Sequence, residues 1–294
     1  MSNVLLTDTA SAKVPIFPLD FAHTFSLQRL GRHDPTAVMD LDCFSKAFFY
    51  RSQPAILEFS REGESIVVHA HGPHAHDLLA ETMTCLKQDD RYHSFSTEDS
   101  GIHRLHRRHA GLRILRFPWL YDSTCSAILQ QRIRTVDAVR DWGRIARRWG
   151  TKITVGHLEL RCFPPAETLA QVPDFALRSL NIDAQRTKTL LRFARESCFV
   201  PLKPAANFSR LRDQLQRIPG IGPWTTETVL GYGAGDSDAA IPGDLHLPHV
   251  VCYALAGENP GSDDRMMELL EPFRGHRFRI IRLLYASGIS IPRT

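Results

Sequence analysis

The densest chemical signal runs from Leu211 to His249. Leu211, Leu215 and Ile218 give a helix one apolar face, and Pro219-Gly220-Ile221-Gly222 ends it, because glycine reaches backbone conformations that other residues avoid. Pro223 suits the first position of a new helix, where no amide hydrogen is needed. The product is a helix, a tight hairpin and a second helix. Amides left unpaired at the start of the second helix, together with its dipole, make a seat for one phosphate. A contact of this kind, built from Gly220, Gly222, Trp224 and Thr225, holds a DNA backbone without reading bases. An ordinary helical corner would need the same glycines for its turn alone. About one helix later comes Ile241-Pro242-Gly243-Asp244-Leu245-His246. In isolation Asp244 is a helix cap; behind a phosphate-binding hairpin it becomes a candidate catalytic carboxylate.

These two segments together resemble the helix-hairpin-helix (HhH-GPD) DNA glycosylase superfamily, and most nearly its 3-methyladenine DNA glycosylase II branch. The resemblance covers the helical half well and the N-terminal part more loosely. It implies a base-excision enzyme that flips a damaged base, expected to be an alkylated purine, from double-stranded DNA and cuts its N-glycosidic bond. Asp244 falls at the family's catalytic aspartate. Cleavage of a base–sugar bond passes through an oxocarbenium-like sugar, which a nearby carboxylate stabilises while it orients the attacking water. His246 matches a position that contacts the DNA backbone in 8-oxoguanine glycosylase relatives.

Bifunctional relatives attack C1′ with a lysine of the second hairpin helix. Trp224 stands there, and no lysine follows Lys203, so the resemblance implies hydrolysis without lyase activity. In the 3-methyladenine branch an aromatic at this position lines the base pocket, where an electron-rich face favours cationic alkylated purines; the bland reading packs Trp224 into the hairpin core. Other pocket aromatics of the branch are missing, since Thr228 follows one turn later and Ile281-Arg282-Leu283-Leu284-Tyr285 holds no tryptophan. Tyr121, Tyr253 and Trp119 are the candidate substitutes, though each reads more readily as core than as pocket. Ser126-Ala127-Ile128-Leu129-Gln130-Gln131-Arg132 resembles the family's wedge-bearing helix end, which sets Gln131 at the groove and Arg132 at the wedge or on a phosphate. Hairpin carbonyls in this superfamily can hold a monovalent cation; no other cofactor is implied. A non-catalytic lesion binder and a glycosylase for oxidised or deaminated bases remain the alternatives.

The elements that must position these groups divide into two parts. Residues 55–60 and 65–70 read as a β-hairpin, and 75–86 carries apolar residues at helical spacing. A polar stretch from Asp89 and Asp90 to Gly101 marks a boundary. The expected fold is therefore α+β, with a small α/β domain over residues 1–100 and an all-α domain over 101–294. Helices are expected over 123–133, 136–149, 166–172, 174–180, 183–198, 209–218, 265–270 and 278–287, with breaks at Pro164-Pro165, Pro201, Pro204 and Pro219.

Hydrophobic content of 43% and a net charge of +4 over 294 residues fit a globular chain. Arginines concentrate at Arg104, Arg107, Arg108, Arg113 and Arg116, and again from Arg132 to Arg148, where they can track phosphates. The six cysteines are scattered without a C-x-x-C pair, which argues against zinc or iron–sulfur frames and for reduced thiols. His69, His71, His74 and His76 tempt a metal reading, but they flank Gly72-Pro73, a strand-to-helix turn, and no metal is expected there. No apolar run reaches the roughly 20 residues of a membrane span, and the first residues lack a signal-peptide pattern. A cytoplasmic, nucleoid-associated monomer is expected.

Overall fold

The computed structural model describes residues 3–88, 90–200, 202, 207–289 and 291. Asp89, Pro201, Lys203 and Pro204 lie outside them. Strands β2 (Thr9–Pro15), β3 (Ala37–Met39), β4 (Cys43–Tyr50), β5 (Gln53–Glu62) and β6 (Ser65–His71) form an antiparallel sheet in the order β2-β6-β5-β4-β3. The expected hairpin is β5–β6, turned at Gly63. Helices α1 (Phe21–Phe25) and α2 (Ala75–Leu86) belong to the same unit. Phe25, Phe44, Phe59, Leu57 and Val68 make its core, and α2 adds Leu78 and Leu86.

The strands β4 and β5 carry consecutive buried residues rather than a clean alternation, so both faces of the sheet must be covered. The second face, marked by Ala47 and Ile56, packs on a three-stranded sheet of β1 (Asn3–Leu5), β7 (Lys152–Val155) and β8 (Leu158–Arg161). β1 runs parallel to β7, with Asn3 opposite Lys152. This corrects the expectation of an all-α second domain. β7 and β8 form a short hairpin whose Ile153 and Leu160, with Cys162 just beyond it, give that face its apolar cover.

The remaining helices are α3 (Ser100–Arg108), α4 (Leu120–Leu129), α5 (Thr135–Trp149), α6 (Ala166–Ala170), α7 (Asp174–Arg178), α8 (Ala184–Phe199), α9 (Phe208–Gln216), α10 (Pro223–Thr228), α11 (Leu247–Ala256), α12 (Asp263–Leu270) and α13 (Arg277–Ala286). They enclose a second core around Trp142, Phe163, Leu190, Leu215, Leu230 and Ile281. Packing crosses the division expected at residues 100 and 101 in both directions. Leu115, Phe117 and Trp119 enter the core of the five-stranded sheet, while β1 joins the hairpin of the helical half. Among the described residues no helix is long and apolar enough to cross a membrane.

Candidate active site

The hairpin between α9 and α10 is a consequence of local backbone needs. Gly220 has φ of 103°, and a β-carbon on it would lie 2.2 Å from Thr189 Oγ1, so both conformation and space demand glycine. Gly222 is the extended N-cap of α10, no side chain caps that end, and Pro223 follows at its first turn. The first amides of α10 therefore point outward without helical partners. Gln131, just beyond α4, braces the turn from behind. Its amide donates to Gly220 O at 2.9 Å and to Thr225 Oγ1 at 2.8 Å.

Two expected DNA contacts change character here. The side chain of Thr225 is buried and bound to Gln131, which leaves only its backbone for a phosphate. Gln131 spends its amide on the hairpin rather than on a groove. Arg132 is exposed, and its backbone lies in the left-handed region with φ of 55°. A non-glycine residue held there costs of order 1–3 kcal/mol and marks a position fixed by its surroundings.

Asp244 is placed by the loop before α11. Gly243 supplies φ of 78°, and its amide is held by the Asp263 carboxylate at 3.0 Å. Upstream, the Asp238 carboxylate accepts from Arg277 and from the Gly275 amide, which anchors the loop to the start of α13. The Asp244 Oδ1 accepts from the amides of His246 and Leu247, 2.9 Å each. Its Oδ2 accepts from Trp224 Nε1 at 2.9 Å. Asp244 thus caps the helix and is also gripped by the indole of the hairpin helix; the two readings coexist. His246 stands exposed beside it at the N-cap of α11.

The family comparison agrees with this geometry. A family model described as the HhH-GPD superfamily base excision DNA repair protein matches residues 125–274, about half of the chain. This chain belongs to the HhH-GPD superfamily. It is similar to the probable bifunctional transcriptional activator/DNA repair enzyme AlkA of Mycobacterium tuberculosis, 33% identical over 138 residues that make 47% of this chain and 28% of that protein. It is also similar to a DNA-3-methyladenine glycosylase of Bacillus subtilis, 24% identical over 61% of this chain and 62% of that one. The chain therefore spans less than two thirds of either relative's length. Among solved structures, the fold is shared with a 3-methyladenine DNA-glycosylase from Archaeoglobus fulgidus, at TM-score 0.78 and 19% identity, over 96% of this chain and 100% of that one. It is shared too with a Clostridium acetobutylicum 8-oxoguanine glycosylase/lyase bound to dsDNA, at TM-score 0.69 and 14% identity, over 96% and 98%.

The aromatic surroundings of Asp244 in this HhH-GPD chain differ from those expected. Past Thr228 the helix widens into a single π-helical turn, Val229–Gly233, a device frequent at functional sites. Thr228 Oγ1 bonds back to Trp224 O at 2.7 Å, just ahead of that turn. Tyr232 is carried on it, under the Arg282 guanidinium and edge-on to Phe278. Burial raises the Tyr232 hydroxyl pKa; Arg282 opposes that rise and the Asp244 charge adds to it. Burial raises Tyr285 as well, with further contributions from Tyr232 and Asp244. Trp224 is thus the ring bonded to the carboxylate, and Tyr232 and Tyr285 lie near enough to feel its charge. Tyr232 was hidden in the sequence although it stands eight residues after Trp224, two turns on, and that spacing was the signal available.

The proposed substitutes lie elsewhere or lack a contact with Asp244. Trp119 is core, stacked on Phe117 and bonded through Nε1 to Gln28. Tyr121 stacks on Phe193, with its hydroxyl buried and unpartnered. Tyr253 is half-buried on α11. The arginine clusters are also partly internal. Arg113 pairs with Asp90, and Arg116 donates to Ala234 O; Arg134 and Arg140 share Asp137 on the surface. Arg277 is tied to Asp238, whereas Arg274 stays exposed with Glu271. His71 is held between Thr9 and Glu58 on the sheet. Cys85, Cys125, Cys162 and Cys252 are buried thiols, and Cys43 and Cys198 are exposed.

Proposed function

We propose that this chain is a monofunctional glycosylase of base excision repair, acting as a monomer on double-stranded DNA of the nucleoid and releasing alkylated purines. The observation that carries the reading is the Trp224–Asp244 hydrogen bond. Where a lyase places its lysine, this chain places an indole that aims the carboxylate, so the nucleophile is water. Hairpin amides around Gly222 and Trp224 seat a phosphate, Arg132 fills the space left by the flipped nucleotide, and the extruded base lies among Trp224, Tyr232 and Tyr285.

The chemistry follows from these positions. An N3- or N7-alkylated purine is cationic, so it leaves with the C1′–N electron pair as a neutral base and needs no acid. Asp244 faces the oxocarbenium-like sugar that results, and its charge is developed before the reaction rather than during it. Water adds to C1′ and gives its proton to the carboxylate, leaving an abasic sugar. Pro219 O and Gly220 O accept from Arg192 and Gln131, and each carbonyl keeps a second lone pair with which it would hold a monovalent cation. No step runs through one.

Duplexes carrying single defined lesions test the proposal. Base loss from N3-methyladenine or 7-methylguanine duplexes, with strand breaks only after alkali and no borohydride-trapped adduct, is expected. Base loss confined to 8-oxoguanine or uracil would reassign the substrate, and a trapped adduct would reject the water mechanism.

A further inference from the structure

Asp20, His23 and His109 lie where α1 meets the end of α3, and Arg282 joins His23 to Tyr232. We propose that they bind a divalent transition-metal cation of the zinc type, which would clip the sheet unit to the helical body. One ligand atom from each residue lies within 4.8 Å of the others. Asp20 caps α1 through Oδ1, and its Oδ2 meets His23 Nδ1 at 2.7 Å. His109 closes α3 and is 7% exposed, and its Nε2 is buried without a hydrogen-bond partner. A buried imidazole nitrogen with no partner is an unmet demand for a donor or a metal.

Two imidazoles and a carboxylate form a donor set that suits zinc, with a fourth position left for water. Calcium and magnesium prefer all-oxygen shells. The charges nearby sharpen this choice. Arg282 acts on Asp20, and Arg108 acts on His109, so a cation held by charge alone gains little. One that forms bonds to imidazole nitrogen gains more. Bond lengths near 2 Å need ligand atoms about 3.3 Å apart. The Asp20–His23 pair is already inside that distance, so the His109 ring makes the approach. The backbones carrying the ligands are docked beforehand. Asp20 N donates to Gly111 O at 2.8 Å, Arg113 N to Thr24 Oγ1 at 3.1 Å, and Arg282 to His23 O at 2.5 Å. His23 is 43% exposed and Asp20 20%, which provides an entry path.

The test is a titration of the chelator-stripped chain with Co²⁺, followed by visible absorption, then displacement by Zn²⁺. One equivalent of Co²⁺ should give a band that Zn²⁺ removes. A hundredfold excess of Zn²⁺ over Kd should raise Tm by about 5 °C. Asp20→Asn keeps the α1 cap, since Asn caps as well as Asp, so its metal-free Tm should hold while the band is lost. His109→Gln should lose the band too, and His71→Gln should retain it. No band in the wild type, or a band that persists in both Asp20→Asn and His109→Gln, overturns the site. Loss confined to His71→Gln would place any metal on β6 and overturn it equally.

Discussion

Asp90 and Asp244 are both loop carboxylates that join distant parts of the chain, and they are held by opposite means. Asp90 is buried and takes a forked pair of bonds from Arg113, the guanidinium of Arg279 and the amide of Ile114. Asp244 is half-buried and takes two amides and an indole N–H. Guanidinium partners cancel the charge they hold, which gives cohesion and leaves nothing for a ligand. Neutral donors fix the direction of a carboxylate without cancelling it, so its field is still available to a developing cation in the pocket. On the proposed function, the difference separates a carboxylate that builds the protein from one that works in it.

The same substitution at both places should split most widely. Asp244→Asn retains a side chain able to cap α11. Single-turnover release of an alkylated purine should nonetheless fall about 10³-fold, ~4 kcal/mol, while Tm stays within about 2 °C. Release at the wild-type rate would remove the contrast altogether. Asp90→Asn leaves two buried guanidinium groups uncompensated and should cost about 3 kcal/mol in urea unfolding, with the folded fraction still active. Burial by itself would raise the Asp90 pKa, but the Arg113 hydrogen bonds and the charges of Arg279 and Arg113 hold it below the usual range. Its stabilisation is complete above the ordinary carboxylate value, about 3.9, and fades as pH falls through its own lower value. The wild-type and variant curves should converge as pH drops from about 5 toward 2.

Smaller changes refine the picture around Asp244. Gly220→Ala puts a β-carbon against Thr189 in a backbone conformation alanine avoids, and should cost about 2 kcal/mol with a matching loss of DNA affinity. Unchanged affinity would detach the hairpin from phosphate binding. Trp224→Phe keeps a ring but deletes one hydrogen bond to the carboxylate, a loss of about 1 kcal/mol. It should slow base release by roughly fivefold with little change in the KM for DNA.

The parts legible in the sequence were those written in short range. The hairpin and Asp244 stand out because glycine and proline spacing fixes their backbone locally, and α2 and α8 follow from helical periodicity. What stayed hidden depended on distant partners. The strands β7 and β8 are four residues each and exist because the sheet's second face needs cover. Helix α3 buries Ile102 as its one fully enclosed side chain, so its pattern is faint. Tyr232 was obscured by a π-turn that shifts the helical register.

The pairing of β1 with β7 also sets an order of events during synthesis. The partner strand leaves the ribosome about 150 residues after Asn3, which at 5–20 residues per second is a delay of roughly 8–30 s. Until then the nascent sheet has one bare apolar face, at Ala47 and Ile56. The first strand and the five-stranded sheet thus wait together for a hairpin from the far half, and the growing chain is most exposed to mispairing in that interval.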